Sequence, residues 1–341
     1  MISNMAKKFS IFLILLSIFI SSCTQGGGVG GGTTSDDDIT DDDSSSDLYV
    51  STGSPYERGA LTVNTIDVAE GEYGAPVSMQ IHYPVEPGQY AVVQWQHGFL
   101  AANKWYSEIL THLASHGFVV VAPQMYPANG IPIGKPTSRE EAAKAVEVLN
   151  WLPANLSVIT GVTARTDIIG LAGHSRGGKV CWIVLKEDGY QADAVCGIDP
   201  VDAAPFVTND PPVVDGPFNF DFPSFVLGTG LGPTPAIPIF PACAPEGNNH
   251  EQFYQASIAP VWHFVATEQG HMDMLDGDTL DECGIICSIC PGGPDLAGMR
   301  KLTGGLLSAF FRYVLQGDET MLGYLTNPAL APIPVEVEFR L

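Results

Sequence analysis

From about residue 76 onward, short runs of consecutive apolar residues alternate with longer stretches whose apolar positions recur every three or four residues. "VSMQIHY" (77–83), "YAVVQWQ" (90–96) and "FVVVAPQ" (118–124) have the length and the β-branched and aromatic content of strands. Between the second and third, "KWYSEILTHLASHG" has helical spacing and closes at Gly117. "SREEAAKAVEVLNWL" opens on an S-x-x-E pattern at Ser138, which predicts a capped helix. Strand "TDIIGLAG", helix "GGKVCWIVLKE", strands "DAVCGID", "SFVLGTG" and "PVWHFVAT", and a last long helix over 298–317 follow. Strands that are apolar on both alternating faces must be buried on both, so the pattern predicts an α/β domain over 48–341. Its sheet is mostly parallel, with helices on both faces. The Pro-rich segment 200–245 reads as one long excursion from the sheet and as a wall of a binding site.

The front of the chain follows another logic. Lys7 and Lys8 precede the apolar run "IFLILLSIFI", and small residues then lead to Cys23 in "ISSC". That order is an export signal, too short in its apolar part for a spanning helix. The ending resembles a bacterial lipobox, which implies that residues 1–23 are a signal peptide and that Cys23 is lipidated and becomes the mature N-terminus. Thr24 and Gln25 follow, with no Asp of the kind that implies inner-membrane retention, so the expected location is the bacterial cell envelope, at the outer membrane or cell surface. A diacylglyceryl-type anchor carries more than one chain and gives stable membrane attachment. Residues 24–47 hold seven Asp, no Lys or Arg and almost nothing apolar, the composition of a flexible acidic tether.

The formal charge is −23. Loss of the two signal-peptide lysines makes it −25, and about −18 remains on the globular part once the tether is set aside. An excess of this size argues against nucleic acid or anionic lipid surfaces as partners. It suits an exported enzyme acting on a neutral substrate. Apart from Cys23 there are six cysteines, at 181, 196, 243, 283, 287 and 290, an even number that suggests disulfides in an oxidising compartment. Six cysteines allow fifteen pairings, and the sequence does not choose among them. The spacing of Cys283, Cys287 and Cys290 is also that of a three-thiolate iron–sulfur motif. Lying in an exported chain with no barrel pattern before it, it reads better as a disulfide-pinned loop.

The chemistry centres on Gly173-His174-Ser175-Arg176-Gly177, which fits G-x-S-x-G between a predicted buried strand and a predicted helix. This is the setting of a nucleophile elbow, a sharp turn that lifts the serine Oγ out of the backbone and aims the next N–H, that of Arg176, at an incoming carbonyl oxygen. A serine needs a base. Among eight histidines, His271 lies just beyond the last predicted core strand and is preferred over His250, which no strand positions, and over His263, which lies within a strand. The segment after "SFVLGTG" has no acid, so the third member is sought at the preceding strand end, in "GIDPVDAA". Asp199 is preferred over Asp202 because it directly follows the strand. A second oxyanion donor is expected after an earlier strand, at Phe99 in "QHGFL", with His97 as a structural partner of that loop. No metal or cofactor is called for.

"LAGHSRGGK", "GIDPVD", "ACAPEGNNHEQF" and "WHFVATEQGHMDMLD" resemble the corresponding segments of chlorophyllases, and the likeness runs from about residue 75 to the closing "PVEVEF". The resemblance implies an α/β-hydrolase fold and an esterase of the kind that cleaves the phytyl ester of chlorophyll. In that family the serine of GHSRGG, the first aspartate of DPVD and the histidine of GHMDMLD form the triad, which carries over to Ser175, Asp199 and His271. More distantly the chain is similar to cutinase-like polyester hydrolases and platelet-activating-factor acetylhydrolases. Plant chlorophyllases lack the lipobox and the acidic tether, which sets substrate apart from chemistry. The competing expectations are therefore an esterase of polyesters or lipids and a non-catalytic surface lipoprotein on the same scaffold. The 131–134 region and "PAIPIFPACAPEG" are candidate pocket walls for a long acyl or isoprenoid chain.

Overall fold

The computed structural model describes residues 47–127, 136–203, 210–238, 240–277 and 279–341. Cys23, the tether up to residue 46 and the 131–134 region lie outside the described residues. A nine-stranded sheet organises the domain. Its strands are β1 (Val63–Val68), β2 (Met79–Pro84), β3 (Gln89–Gln96), β4 (Phe118–Pro123), β5 (Thr163–His174), β6 (Ala194–Ile198), β7 (Ser224–Thr229), β8 (Val261–Ala266) and β9 (Val335–Arg340). They are arranged β1-β2-β4-β3-β5-β6-β7-β8-β9. The six central strands from β4 to β8 run parallel, while β1, β2 and β9 are antiparallel to their neighbours.

The apolar runs follow from this burial. In β3, Val92 faces a core built with α2 (Ser138–Thr160) and α3 (Arg176–Lys186). Its neighbour Val93 faces the opposite core, built with α1 (Ser107–Ser115) and a long C-terminal helix. Successive side chains point to opposite faces, so a strand covered on both sides must be apolar at every position. α4 (His250–Ala256) precedes β8, the short α5 (Leu280–Cys283) and α6 (Ile285–Ser288) follow it, and the long helix is α7 (Leu296–Leu315).

Three local features depart from the sequence reading. α2 is capped one residue earlier than the Ser138 pattern indicated: the Thr137 hydroxyl accepts the Glu140 N–H, and the Glu140 carboxylate accepts the Thr137 N–H in return. Glu141 is thereby left to point inward, while Ser138 Oγ donates to Asp210. The edge strands β1 and β9 are additional to the predicted set. The 200–245 segment is not one excursion, because the expected strand "SFVLGTG" joins the sheet within it as β7 and divides it in two.

Candidate active site

The carboxyl ends of the parallel strands carry the candidate functional side chains. β5 ends at His174, and Ser175 occupies a left-handed position with φ 56° and ψ −122° before α3 begins at Arg176. Such a conformation is costly for a residue with a Cβ and persists only where the surroundings impose it. Here Ser175 N–H donates to the Ile198 carbonyl (2.9 Å), and its own carbonyl accepts Val201 N–H (3.2 Å). Both glycines of the motif are needed for close approach. A Cβ at Gly173 would stand 2.5 Å from the Gly177 backbone, and one at Gly177 would stand 2.2 Å from the Gln96 carbonyl oxygen.

His271 lies on the loop after β8, and its Nε2 is 2.9 Å from Ser175 Oγ. Its Nδ1 is 2.6 Å from Asp199 Oδ2. Asp199 is fully buried at the end of β6, at φ 41°. Thr229, ending the adjacent β7, donates its N–H to Oδ1 (3.1 Å) and its hydroxyl to Oδ2 (2.7 Å). Burial opposes ionisation of this carboxyl, but the hydrogen bond and charge of His271, the nearby His250 and the Thr229 hydroxyl together hold it below the ordinary aspartate range. A carboxylate accepting at Nδ1 requires the proton there, which leaves the Nε2 lone pair facing the serine.

The remaining candidates stand outside the hydrogen-bonded array of Ser175, His271 and Asp199, although Asp202 lines the same cavity. Asp202 accepts the Val213 N–H (2.7 Å) and the Val214 N–H (2.9 Å) and sits 3.8 Å from the buried Lys179 ammonium, so it braces the first excursion. His250 begins α4 and pairs with His263 of β8 across 2.8 Å. His97 donates from Nδ1 to the Gly98 carbonyl (2.8 Å) and accepts Met125 N–H at Nε2 (3.0 Å). Burial pushes its pKa down to about 4, so it is a neutral structural partner of the loop.

That loop has a specific hydrogen-bond economy. Gly98 N–H donates to the Tyr106 hydroxyl (3.1 Å) and Leu100 N–H to the Tyr126 hydroxyl (3.0 Å). Phe99 N–H, between them, is not among the donors so engaged. Arg176 N–H is the first of the helix, where intrahelical acceptors are lacking. Both residues line a mostly apolar cavity of about 270 Å³ that also contains Ser175 and His271. The Arg176 guanidinium stacks 5.2 Å from the Phe99 ring and pairs with buried Glu141 at 2.5 Å. Burial raises the Glu141 pKa to about 8, against the lowering effect of Arg176.

The family model described as Chlorophyllase matches residues 51–340, nearly the whole described domain. The chain belongs to the chlorophyllase family. It is 38% identical to Chlorophyllase-2 of Arabidopsis thaliana over 277 residues, covering 77% of this chain and 85% of that protein. Identity is 35% to Chlorophyllase-1 of the same plant, covering 84% and 92%, and 33% to Chlorophyllase type 0 of Chenopodium album, covering 80% and 81%. The nine-stranded, mostly parallel sheet is accordingly an α/β-hydrolase fold, and the chain is a carboxylic ester hydrolase.

Two disulfides shape this chlorophyllase-family domain. Cys243 pairs with Cys290 and Cys283 with Cys287, while Cys181 and Cys196 are buried thiols. The three cysteines of the iron–sulfur spacing are thus divided between two disulfides and do not converge on one centre. Cys243–Cys290 ties the second excursion to the segment after α6, and both cysteines line the cavity with Phe240, Pro241 and Ile289. The "PAIPIFPACAPEG" expectation is met in part by these residues. Asp273, which sequence reasoning did not assign, accepts the Gly270 N–H (2.6 Å) and the Gly293 N–H (2.7 Å) and so shapes the turn that carries His271. Its only signal was its place in GHMDMLD.

Proposed function

We propose that the protein hydrolyses carboxylic esters through an acyl-enzyme formed on Ser175, with His271 as base and Asp199 as its orienting acid. The observation that carries this reading is the continuous array Oγ, Nε2, Nδ1 and Oδ2, with separations of 2.9 and 2.6 Å. His271 takes the Ser175 proton as Oγ attacks the ester carbonyl, and the amides of Phe99 and Arg176 receive the oxyanion. His271 then protonates the leaving alcohol. Water repeats the sequence on the acyl-enzyme, releasing the acid and restoring Ser175. The apolar cavity favours an ester with a hydrophobic chain, and the relatives' printed names point to chlorophyll-type esters as the first to try. The reading is tested by assaying p-nitrophenyl butyrate, a long-chain p-nitrophenyl ester and chlorophyll with the wild type and Ser175→Ala. Hydrolysis by the wild type of at least one ester, abolished by Ser175→Ala, is the expected outcome; undiminished hydrolysis by that variant contradicts it.

We also propose that the mature chain begins at a lipidated Cys23 in the bacterial envelope and reaches the outer membrane or cell surface, its catalytic domain held on the acidic tether. The signal-like order of residues 1–23 supports this. On detergent phase partitioning, wild type should enter the detergent phase and Cys23→Ser the aqueous phase. Identical partitioning of the two would count against the anchor.

A further inference from the structure

Two side chains outside the triad connect its parts. The His174 Nε2 lies 2.8 Å from the His271 carbonyl oxygen, and its Nδ1 lies 2.8 Å from the Tyr106 hydroxyl. A carbonyl oxygen can only accept, so Nε2 carries the His174 proton. The neutral ring then has a lone pair at Nδ1, which the Tyr106 O–H must fill. The Tyr106 oxygen in turn accepts the Gly98 N–H at 3.1 Å. The chain therefore runs one way, from Gly98 through Tyr106 and His174 to the backbone of His271. The His174 and His271 rings also pack 4.7 Å apart. Burial drives the His174 pKa down to about 3, which keeps the ring neutral and this polarity intact.

We propose that His174, held by Tyr106, is a positioning residue that fixes the oxyanion loop and the His271 backbone relative to each other. Gly98 immediately precedes Phe99, so a shift at one end of the chain displaces an oxyanion donor and a shift at the other displaces the base. The inference rests on the triad reading above. It assigns His174 and Tyr106 no contact with the reacting atoms; they act by holding two elements that arrive from distant parts of the sheet. Displacements of the order of 1 Å in such an arrangement cost about 100-fold in rate.

Three variants of the full chain test it: His174→Leu, His174→Gln and Tyr106→Phe. For each, kcat and KM are measured on p-nitrophenyl butyrate, with the rate of Ser175 labelling by a fluorophosphonate and the Tm. His174→Leu removes both polar contacts and should lower kcat about 100-fold with KM nearly unchanged. His174→Gln can present an amide N–H near the former Nε2 and should recover about tenfold of that loss; Tyr106→Phe should lower kcat about tenfold. Labelling should slow in parallel, because the phosphonyl oxygen occupies the oxyanion position. Folded variants that lose Tm but keep kcat and labelling rate within about twofold of wild type would show that His174 only fills space. A His174→Gln protein no more active than His174→Leu would also overturn the proposal. If His174→Leu fails to fold, the other two decide it. Failure of the fluorophosphonate to label wild type at Ser175 would instead remove the triad reading itself.

Discussion

Asp199→Asn should reduce kcat for ester hydrolysis by about four orders of magnitude while the protein remains folded, as the equivalent change does in serine proteases. The cause is the tautomer. The carboxylate now accepts from His271 Nδ1 at 2.6 Å, which leaves Nε2 free to accept the Ser175 proton. An Asn amide oriented by the Thr229 donors turns its N–H toward Nδ1, forces the proton onto Nε2 and removes the base. Asp202→Asn is the control. Asp202 holds the Val213 and Val214 amides and lies beside Lys179, so its loss should lower stability by about 1–3 kcal/mol and leave kcat nearly unchanged. Comparable kcat losses in the two variants would show the acid to be misassigned.

Acidification should destabilise the protein steeply below about pH 6.5. Seven of its eight histidines, at positions 82, 97, 112, 116, 174, 250 and 263, have pKa values lowered by burial. Those of His82 and His97 fall to about 4 and those of His116, His174 and His263 to about 3. Unfolded, each would titrate near 6.5. The unfolded chain therefore binds more protons below that value. The stability of the neutral buried rings is complete above about pH 6.5 and is lost as pH falls from there toward the folded values. Each ring contributes a slope of up to about 1.4 kcal/mol per pH unit, so a fraction of the seven suffices against a total stability of about 5–15 kcal/mol. Glu141 acts in the opposite sense, because its raised pKa favours the folded state as pH drops from about 8 toward its unfolded value. Relief of the large negative charge on acidification also opposes the loss. The histidines outnumber Glu141, and Tm should fall by at least about 10 °C between pH 7 and pH 5. A Tm unchanged across that interval would contradict the burial argument.

The central strands and the side chains of the proposed triad each leave a local mark in the sequence. A strand covered on both faces is apolar throughout, and the elbow requires glycines flanking Ser175, whose close backbone approaches the structure displays. Asp199 and Asp202 differ in distance from the strand end, and Asp199, the nearer, accepts two hydrogen bonds from Thr229 of neighbouring β7. What was not legible depends on partners far apart in the chain. Tyr106 and His174 are separated by 68 residues, and their joint contact arises only when the strands align. The Cys243–Cys290 pairing likewise follows from how two loops meet over the cavity. The cap of α2 was misplaced because Thr137 and Ser138 each stand three residues before a glutamate. The inward turn of Glu141 toward Arg176 selects the first. β1 and β9 were missed because edge strands, half exposed, lack the continuous apolar run of the central ones.

The central claim, that Ser175 carries the acyl group, is tested most directly by intact-mass and peptide mass spectrometry of the protein quenched during turnover of a slowly deacylated p-nitrophenyl ester. The account predicts a mass increase equal to one acyl group, located on the peptide containing Ser175 and absent from Ser175→Ala. An acyl group on another residue, or turnover by Ser175→Ala at the wild-type rate, would contradict it.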